Sequence, residues 1–249
     1  MGKSTLECSV DSAESAFAAI RGGADRLELC GGAVIGGVTP SPCLFEKIRE
    51  ENGIRMHVLI RPRFGDFCYT ENEVDIMCRE IRMFGKLGAE AVVIGALRPD
   101  GTLDTEAMKR MIEAAGDMEV VLHRAFDVAK DPFATMETAI ELGMRTILTS
   151  GQACNCMAGK ELLKELHQRA AGRIEILAGA GISAEVIAKL APYTGITSFH
   201  MSGKVTLESR MEYRKQGVNM GLPSLSEFEI WQTDEENIRR ARKILTEVC

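Results

Sequence analysis

Short apolar runs alternate along this chain with longer segments of helical periodicity, and the alternation organises the rest. The stretch Glu119 to Asp127 shows the unit: Val120, Val121 and Leu122 lead into His123, Arg124 and Asp127. A run of that length, flanked by helical patterns, fits a strand buried on both faces, as in parallel sheets. Charged groups gathered where it stops predict a solvated rim.

Further strands are expected at Thr5 to Val10, Arg26 to Cys30, Arg55 to Arg61, Ala91 to Ile94, Arg145 to Thr149, Arg173 to Leu177 and Thr197 to Met201. Helical patterns fill the gaps. They cover Ala13 to Ile20 after an Asp11 or Ser12 cap, Cys43 to Glu51, Thr70 or Asn72 to about Leu87, and Glu106 to Ala115 after Asp104. Others run from Asp131-Pro132 to Gly143, from Lys160 to Ala171, onward from Ser183, and from Asp234 to about Val248. Strand followed by helix around the whole chain predicts an α/β fold, a TIM (β/α)8 barrel, and 249 residues suit one such domain spanning 1–249. In that fold the strand ends share one mouth.

Two segments resist the pattern. Gly31 to Pro42 is rich in glycine and proline, a long loop of the kind that carries function. Lys204 to Gln232 holds Gly221-Leu222-Pro223-Ser224 and the single tryptophan, Trp231, and is expected to be irregular, packed across a barrel end or against another subunit.

Composition narrows the classes. A hydrophobic share of 45% with 27% charged residues is that of a globular protein, with no apolar window fit to cross a bilayer. The net charge of −6 repels phosphate backbones and anionic lipid, so neither nucleic acid nor a membrane is an expected partner. Met1 to Thr5 shows no apolar leader, which predicts a cytoplasmic protein. There, eight cysteines read as reduced thiols rather than a disulfide frame.

Working residues of parallel barrels follow the strands, which selects Glu7, Cys8, Glu28, Cys30, Arg61, Arg63, Asp66, His123, Arg124, Asp127, Thr149, Ser150 and His200. Glu28, His123, Asp127 and His200 are candidates for proton transfer. Arg61 and Arg63 suit a carboxylate or phosphate, with Asp66, Arg124 and Ser150 as further substrate contacts. The plainer alternative is mutual neutralisation, Arg61 and Arg124 pairing with Glu28 and Asp127. His57 reads equally as a packing histidine, and His167 as a surface one. Ala178-Gly179-Ala180-Gly181 before Ser183 suits either a phosphate cradle or a tight turn.

Cys8 and Cys30, ending adjacent strands, would suit monovalent copper if both sulfurs face the same way. Alternation leaves open whether Glu7 or Cys8 faces the barrel. Cys154-Asn155-Cys156 is a second, weaker pair.

Several motifs together resemble one family. Glu7-Cys8 with Val10-Asp11-Ser12, Gly22 to Cys30, Gly36-Gly37-Val38-Thr39-Pro40-Ser41, Ile60-Arg61-Pro62-Arg63, Gly65-Asp66-Phe67, His123 to Asp127 and Leu148-Thr149-Ser150-Gly151 are similar to the CutC copper homeostasis family. The resemblance implies a cytoplasmic TIM barrel, commonly a homo-oligomer, with Cu(I) held at Cys8 and Cys30. A dimer is the default assembly. Phe64 stands where the family usually has glycine. Two functions follow as expectations: a Cu(I)-binding protein for buffering or delivery, or an enzyme acting on a small anionic substrate at the mouth.

Overall fold

The computed structural model describes residues 4–215, 217–218, 220–221 and 225–249. Strands β1 Thr5–Val10, β2 Arg26–Leu29, β3 Arg55–Leu59, β4 Ala91–Ile94, β5 Glu119–Leu122, β6 Thr146–Thr149, β7 Glu175–Ala178 and β8 Ser198–Met201 pair in chain order. All are parallel, and β8 returns to β1. The fold is the TIM barrel that the alternation predicts.

Helices α1 Ala13–Gly22, α2 Pro42–Glu51, α3 Glu71–Lys86, α4 Thr105–Ala115, α5 Pro132–Glu141, α6 Lys160–Ala170, α7 Ala184–Thr194 and α8 Glu235–Val248 form the outer ring. Their starts are written in the sequence. Ser12, Asp104, Asp131, Ser183 and Asp234 cap five of them by accepting backbone N–H bonds, and Thr70 with Glu73 forms a capping box on α3. Strand β3 stops at Leu59, short of the expected Arg61, because the Arg61 N–H goes to the Thr39 hydroxyl, 3.0 Å away, and Pro62 has none.

The segment expected to be irregular contains a ribbon. Strands β9 Lys204–Glu208 and β10 Glu229–Thr233 pair antiparallel, anchored where the Thr233 N–H meets the Ser15 hydroxyl at 3.1 Å. The partners are far apart in sequence, so no local turn signal marks them. Lys204 Nζ sits over the Trp231 ring, 3.0 Å from its centre. Leu222, Pro223 and Ser224 lie outside the described residues.

Because strand side chains alternate, each strand feeds two cores. Leu6, Cys8, Leu27, Leu29, Val58 and Val92 join the layer between sheet and helices. Leu59, Ala91, Val93 and Val121 fill one side of the barrel interior with Cys30. The other side is ionic. Among the described residues no helix is long and apolar enough to cross a membrane.

Candidate functional site

The parity of β1 decides the chemistry of the interior. Glu7 points inward: its Oε2 accepts from Arg26 Nε at 2.6 Å, its Oε1 lies 2.7 Å from His200 Nδ1, and His57 Nδ1 is 3.2 Å from Oε2. Ser9, two residues on, donates to Glu28 Oε2 at 3.2 Å. Cys8, between them, therefore faces the helices and is wholly buried among apolar side chains. Burial, reinforced by the charge of Glu7, pushes its thiol well above the ordinary range. Cys30 faces inward, so the fold does not bring Cys8 and Cys30 together. This corrects the expected two-thiolate pair: neighbouring strand ends converge only for residues of matching parity.

Glu7, Glu28 and His200 form a coupled group. Burial pushes the Glu7 carboxyl up, but Arg26 and the bonds from His200 and His57 outweigh it and hold Glu7 well below the usual range. Burial raises Glu28, helped by the charge of Glu7 and opposed by His200 and Ser9. For His200 burial favours the neutral ring, yet Glu28 and Glu7 overcome it and raise its affinity for a proton. His200 Nε2 and Glu28 Oε2 are 3.8 Å apart, an ion-pair separation too long for a hydrogen bond, and each group's shift favours its protonated form. Beneath it, Glu175 accepts from Thr146 at 2.8 Å and Ser198 at 2.6 Å.

Across the mouth, His123 and Arg61 share the Phe67 ring, at 4.8 Å and 5.0 Å from its centre. Arg61 is nearly buried; its Nη1 bonds the carbonyls of Gly36 and Gly37 and its Nη2 that of Gly65, at 2.7 Å. Its Nε is buried without a partner. The glycine-rich loop is thus built around this guanidinium. At Gly37, with φ of 82°, an added Cβ would lie 2.8 Å from Leu59 Cδ2, so the close approach requires glycine. His123 Nδ1 accepts the Ala125 N–H at 3.1 Å, while Nε2 is buried and unpartnered.

Glu28, Cys30, Arg61, His123, Arg124 and His200 line one cavity of about 460 Å³, open at the C-terminal ends of the strands. Ala180, Gly181 and Ile182 complete its wall, Ala180 in the left-handed region at φ of 69°. Ser9 and Lys204 also reach it. A larger groove, about 1130 Å³, lies under the ribbon. Its charged groups are surface acids and one arginine, and none of the buried unpartnered polar atoms of the described residues lies in it. The smaller cavity is the chemical one.

Other expected site residues lie elsewhere. Asp127 accepts from Thr149 at 2.5 Å, from the Ser150 N–H at 3.0 Å and hydroxyl at 2.9 Å, and from the Gln152 N–H, and pairs with Arg124. Its carboxylate is consumed in tying β5 to β6, which corrects its catalytic assignment. Ser150 is fully buried in the same knot. Arg63 and Asp66 pair with each other on the surface, Arg63 also with Glu73 at 2.6 Å, and neither lines the cavity. Cys154 is exposed and Cys156 buried, so that pair is split as well.

Glu7 stands among the strand-end candidates of the sequence without a role, and His57 there reads equally as a packing histidine. For Glu7-Cys8-Ser9 either parity places a polar group inside, so no local signal separates them. Lys204 was placed by the ribbon alone.

Glu7, Glu28 and His200 present three donor atoms within 4.8 Å of one another. Oxygen donors of this kind suit hard cations more than Cu(I). Glu7 already carries Arg26 and two imidazoles, and a cation would have to enter beside that guanidinium.

A model of the CutC family matches residues 4–205. A family protein CutC of Bacteroides fragilis is 45% identical over 226 residues, covering 90% of each chain. One from Pasteurella multocida is 42% identical over 237 residues, 95% of this chain and 97% of its own. A crystal structure of a CutC protein from Streptococcus agalactiae, named for copper homeostasis, superposes with a TM-score of 0.77 at 29% identity, covering 80% of this chain and 99% of that one.

Proposed function

This chain belongs to the CutC family, and from that premise we propose that its barrel mouth is the active site of an enzyme transferring protons on a small anionic metabolite. One observation carries the reading: the Glu28–His200 ion pair and an enclosed Arg61 line the same cavity. Arg61 supplies the fixed positive charge at the cavity wall. Arg124 and Lys204 add charge at the rim. The Glu28–His200 pair is the acid and base, held in register by Glu7 and, through Glu7, by Arg26. Family membership sets the biological context as copper homeostasis without assigning a reaction.

Thermal unfolding in the presence of sugar phosphates and short carboxylates tests this. A true ligand at one hundred times its Kd stabilises by about 2.7 kcal/mol. The gain is expected to vanish in Arg61→Ala, with Arg61→Lys as the milder variant, and to persist in Arg63→Ala. Absence of stabilisation across both classes would remove the proposal.

A second reading is favoured by Cys30, the one thiol in the cavity lining, which shares it with His200. Burial and the neighbouring Glu28 push this thiol up to about 12, so Cu(I) would have to displace its proton. Titration with Cu(I) against a competing chelator is expected to lose tight binding in Cys30→Ser and keep it in Cys8→Ser. Loss in both, with the fold intact, would restore the two-thiolate site.

A further inference from the structure

The histidine facing Arg61 is built for a narrower task than proton transfer. His123 follows β5 and caps the 3-10 turn Arg124–Val128, its Nδ1 accepting the Ala125 N–H. An acceptor nitrogen carries no proton, so the neutral ring must hold its hydrogen on Nε2. Nothing in the described protein takes that hydrogen: Nε2 is buried and has no partner, and His123 is only 4% exposed. A buried donor left unmatched costs on the order of 1–3 kcal/mol, a penalty that a ligand's oxygen would relieve.

The ring is packed on two sides. Gly95 lies against the Nδ1 and Cε1 edge so closely that an added Cβ would be 2.6 Å from Cε1, and the Phe67 ring lies 4.8 Å away, tilted by 47°. With that edge against Gly95 and Ala125, Nε2 is left for the cavity that His123 lines. Protonation is disfavoured too. Burial, then the charge of Arg61, outweighs the ring's contact with its own backbone and lowers it to about 3, which favours the neutral form near pH 7.

A neutral imidazole offering one N–H cannot relay protons at Nδ1, and it is a weak partner for a full anion beside Arg61. It suits an oxygen that is neutral in the ground state and gains charge during reaction. We infer that His123 donates from Nε2 to a carbonyl oxygen, and that the mouth enolises a small anionic aldehyde or ketone. Arg61 binds the ligand's phosphate or carboxylate. Glu28, three strands away around the barrel, takes the proton from the carbon next to the carbonyl. The C–H electron pair moves into the new C–C double bond, the carbonyl π pair moves onto oxygen, and the enolate oxygen accepts the Nε2–H bond without receiving the proton. Glu28 then returns its proton to carbon, so nothing else is consumed.

The inference rests on the mouth being the anion site proposed above, and its tests separate the two. Dihydroxyacetone phosphate and pyruvate, incubated with the full chain in D2O, serve as a phosphate and a carboxylate probe. Proton NMR is expected to show enzyme-dependent exchange of the carbon-bound protons of at least one probe. The rate should fall on the order of 100-fold in His123→Gln, the size of loss for one such donor, and by about 100-fold or more in Glu28→Gln, which removes the base. Thermal stabilisation by the same probe should survive in both variants. Stabilisation without exchange would overturn the enolisation and leave the anion site standing, whereas absence of both would overturn both. Independently of any ligand, 15N NMR should show His123 as the Nε2–H tautomer, neutral from pH 5 to 8; an Nδ1–H tautomer or titration near the ordinary histidine value would end the argument even if His123→Gln fails to fold.

Discussion

The two sides of the barrel interior are built to different rules. Where β3, β4 and β5 face inward, Leu59, Ala91, Val93 and Val121 fill the space, as packing alone would require. Where β1, β2 and β8 face inward, Glu7, Arg26 and Glu28 are just as buried, with the half-buried His200 beside them. Strand geometry is shared, so closure of the barrel does not demand those charges. Buried ion pairs seldom stabilise more than the apolar residues that could replace them, because desolvation offsets their attraction. The ionic side is therefore an arrangement held in place by the fold, and the apolar side is part of what holds it.

Breaking each side should reveal the asymmetry. Glu7→Gln leaves Arg26 with only the part-exposed Glu175, 3.5 Å away, as counter-charge and is expected to cost about 3 kcal/mol in urea unfolding, the low end for a broken buried pair. Leu59→Ala, removing packing from the apolar side, should cost about 2 kcal/mol, the low end for such truncations, since the open mouth allows partial collapse. A larger loss from Leu59→Ala than from Glu7→Gln would erase the distinction.

Acidity sharpens it further, since only charged groups respond. The unfolded chain protonates His123 near 6.5 while the folded protein resists until about 3. Unfolding thus binds the extra proton, and His123 lowers stability progressively as pH falls between those values, by at most about 1.4 kcal/mol per pH unit. His200 has the opposite sign: its raised folded affinity contributes fully below its unfolded value and is lost as pH rises through the folded one. Stability measured from pH 4.5 to 6.5 should therefore rise less steeply with pH in His123→Gln than in the parent. Above 6.5, the parent's advantage over His200→Gln should shrink. Parallel curves for all three proteins would contradict both assignments.

The smallest effect is expected outside the interior. Arg63 is held by Glu73, Asp66 and backbone carbonyls at the surface, where pairs contribute little. Arg63→Ala should leave the urea midpoint and any ligand-induced thermal gain unchanged. Loss of that gain would extend the site beyond the cavity described.

Much of this was legible before any coordinates. Val120-Val121-Leu122 ending in His123 predicts both a buried strand and a polar strand end, and Asp104 and Ser183 mark helix starts by chemistry that acts within a few residues. The glycine-rich loop after β2 was visible as a loop, though not as the cradle of Arg61, because its carbonyls reach a guanidinium beyond the end of β3. The charge of Asp127 was equally visible, yet its use was not: four donors from the next strand end claim it.

Local patterns alone determined the succession of strands and helices, the family, and the set of polar residues near the strand ends, since each depends on side-chain type at short spacing. Tertiary structure decided which of those residues meet. Glu7 rather than Cys8 faces the interior, Cys30 is parted from Cys8 by the barrel wall, and Nε2 of His123 is left without a partner, because register and parity are settled only when all eight strands close on one another.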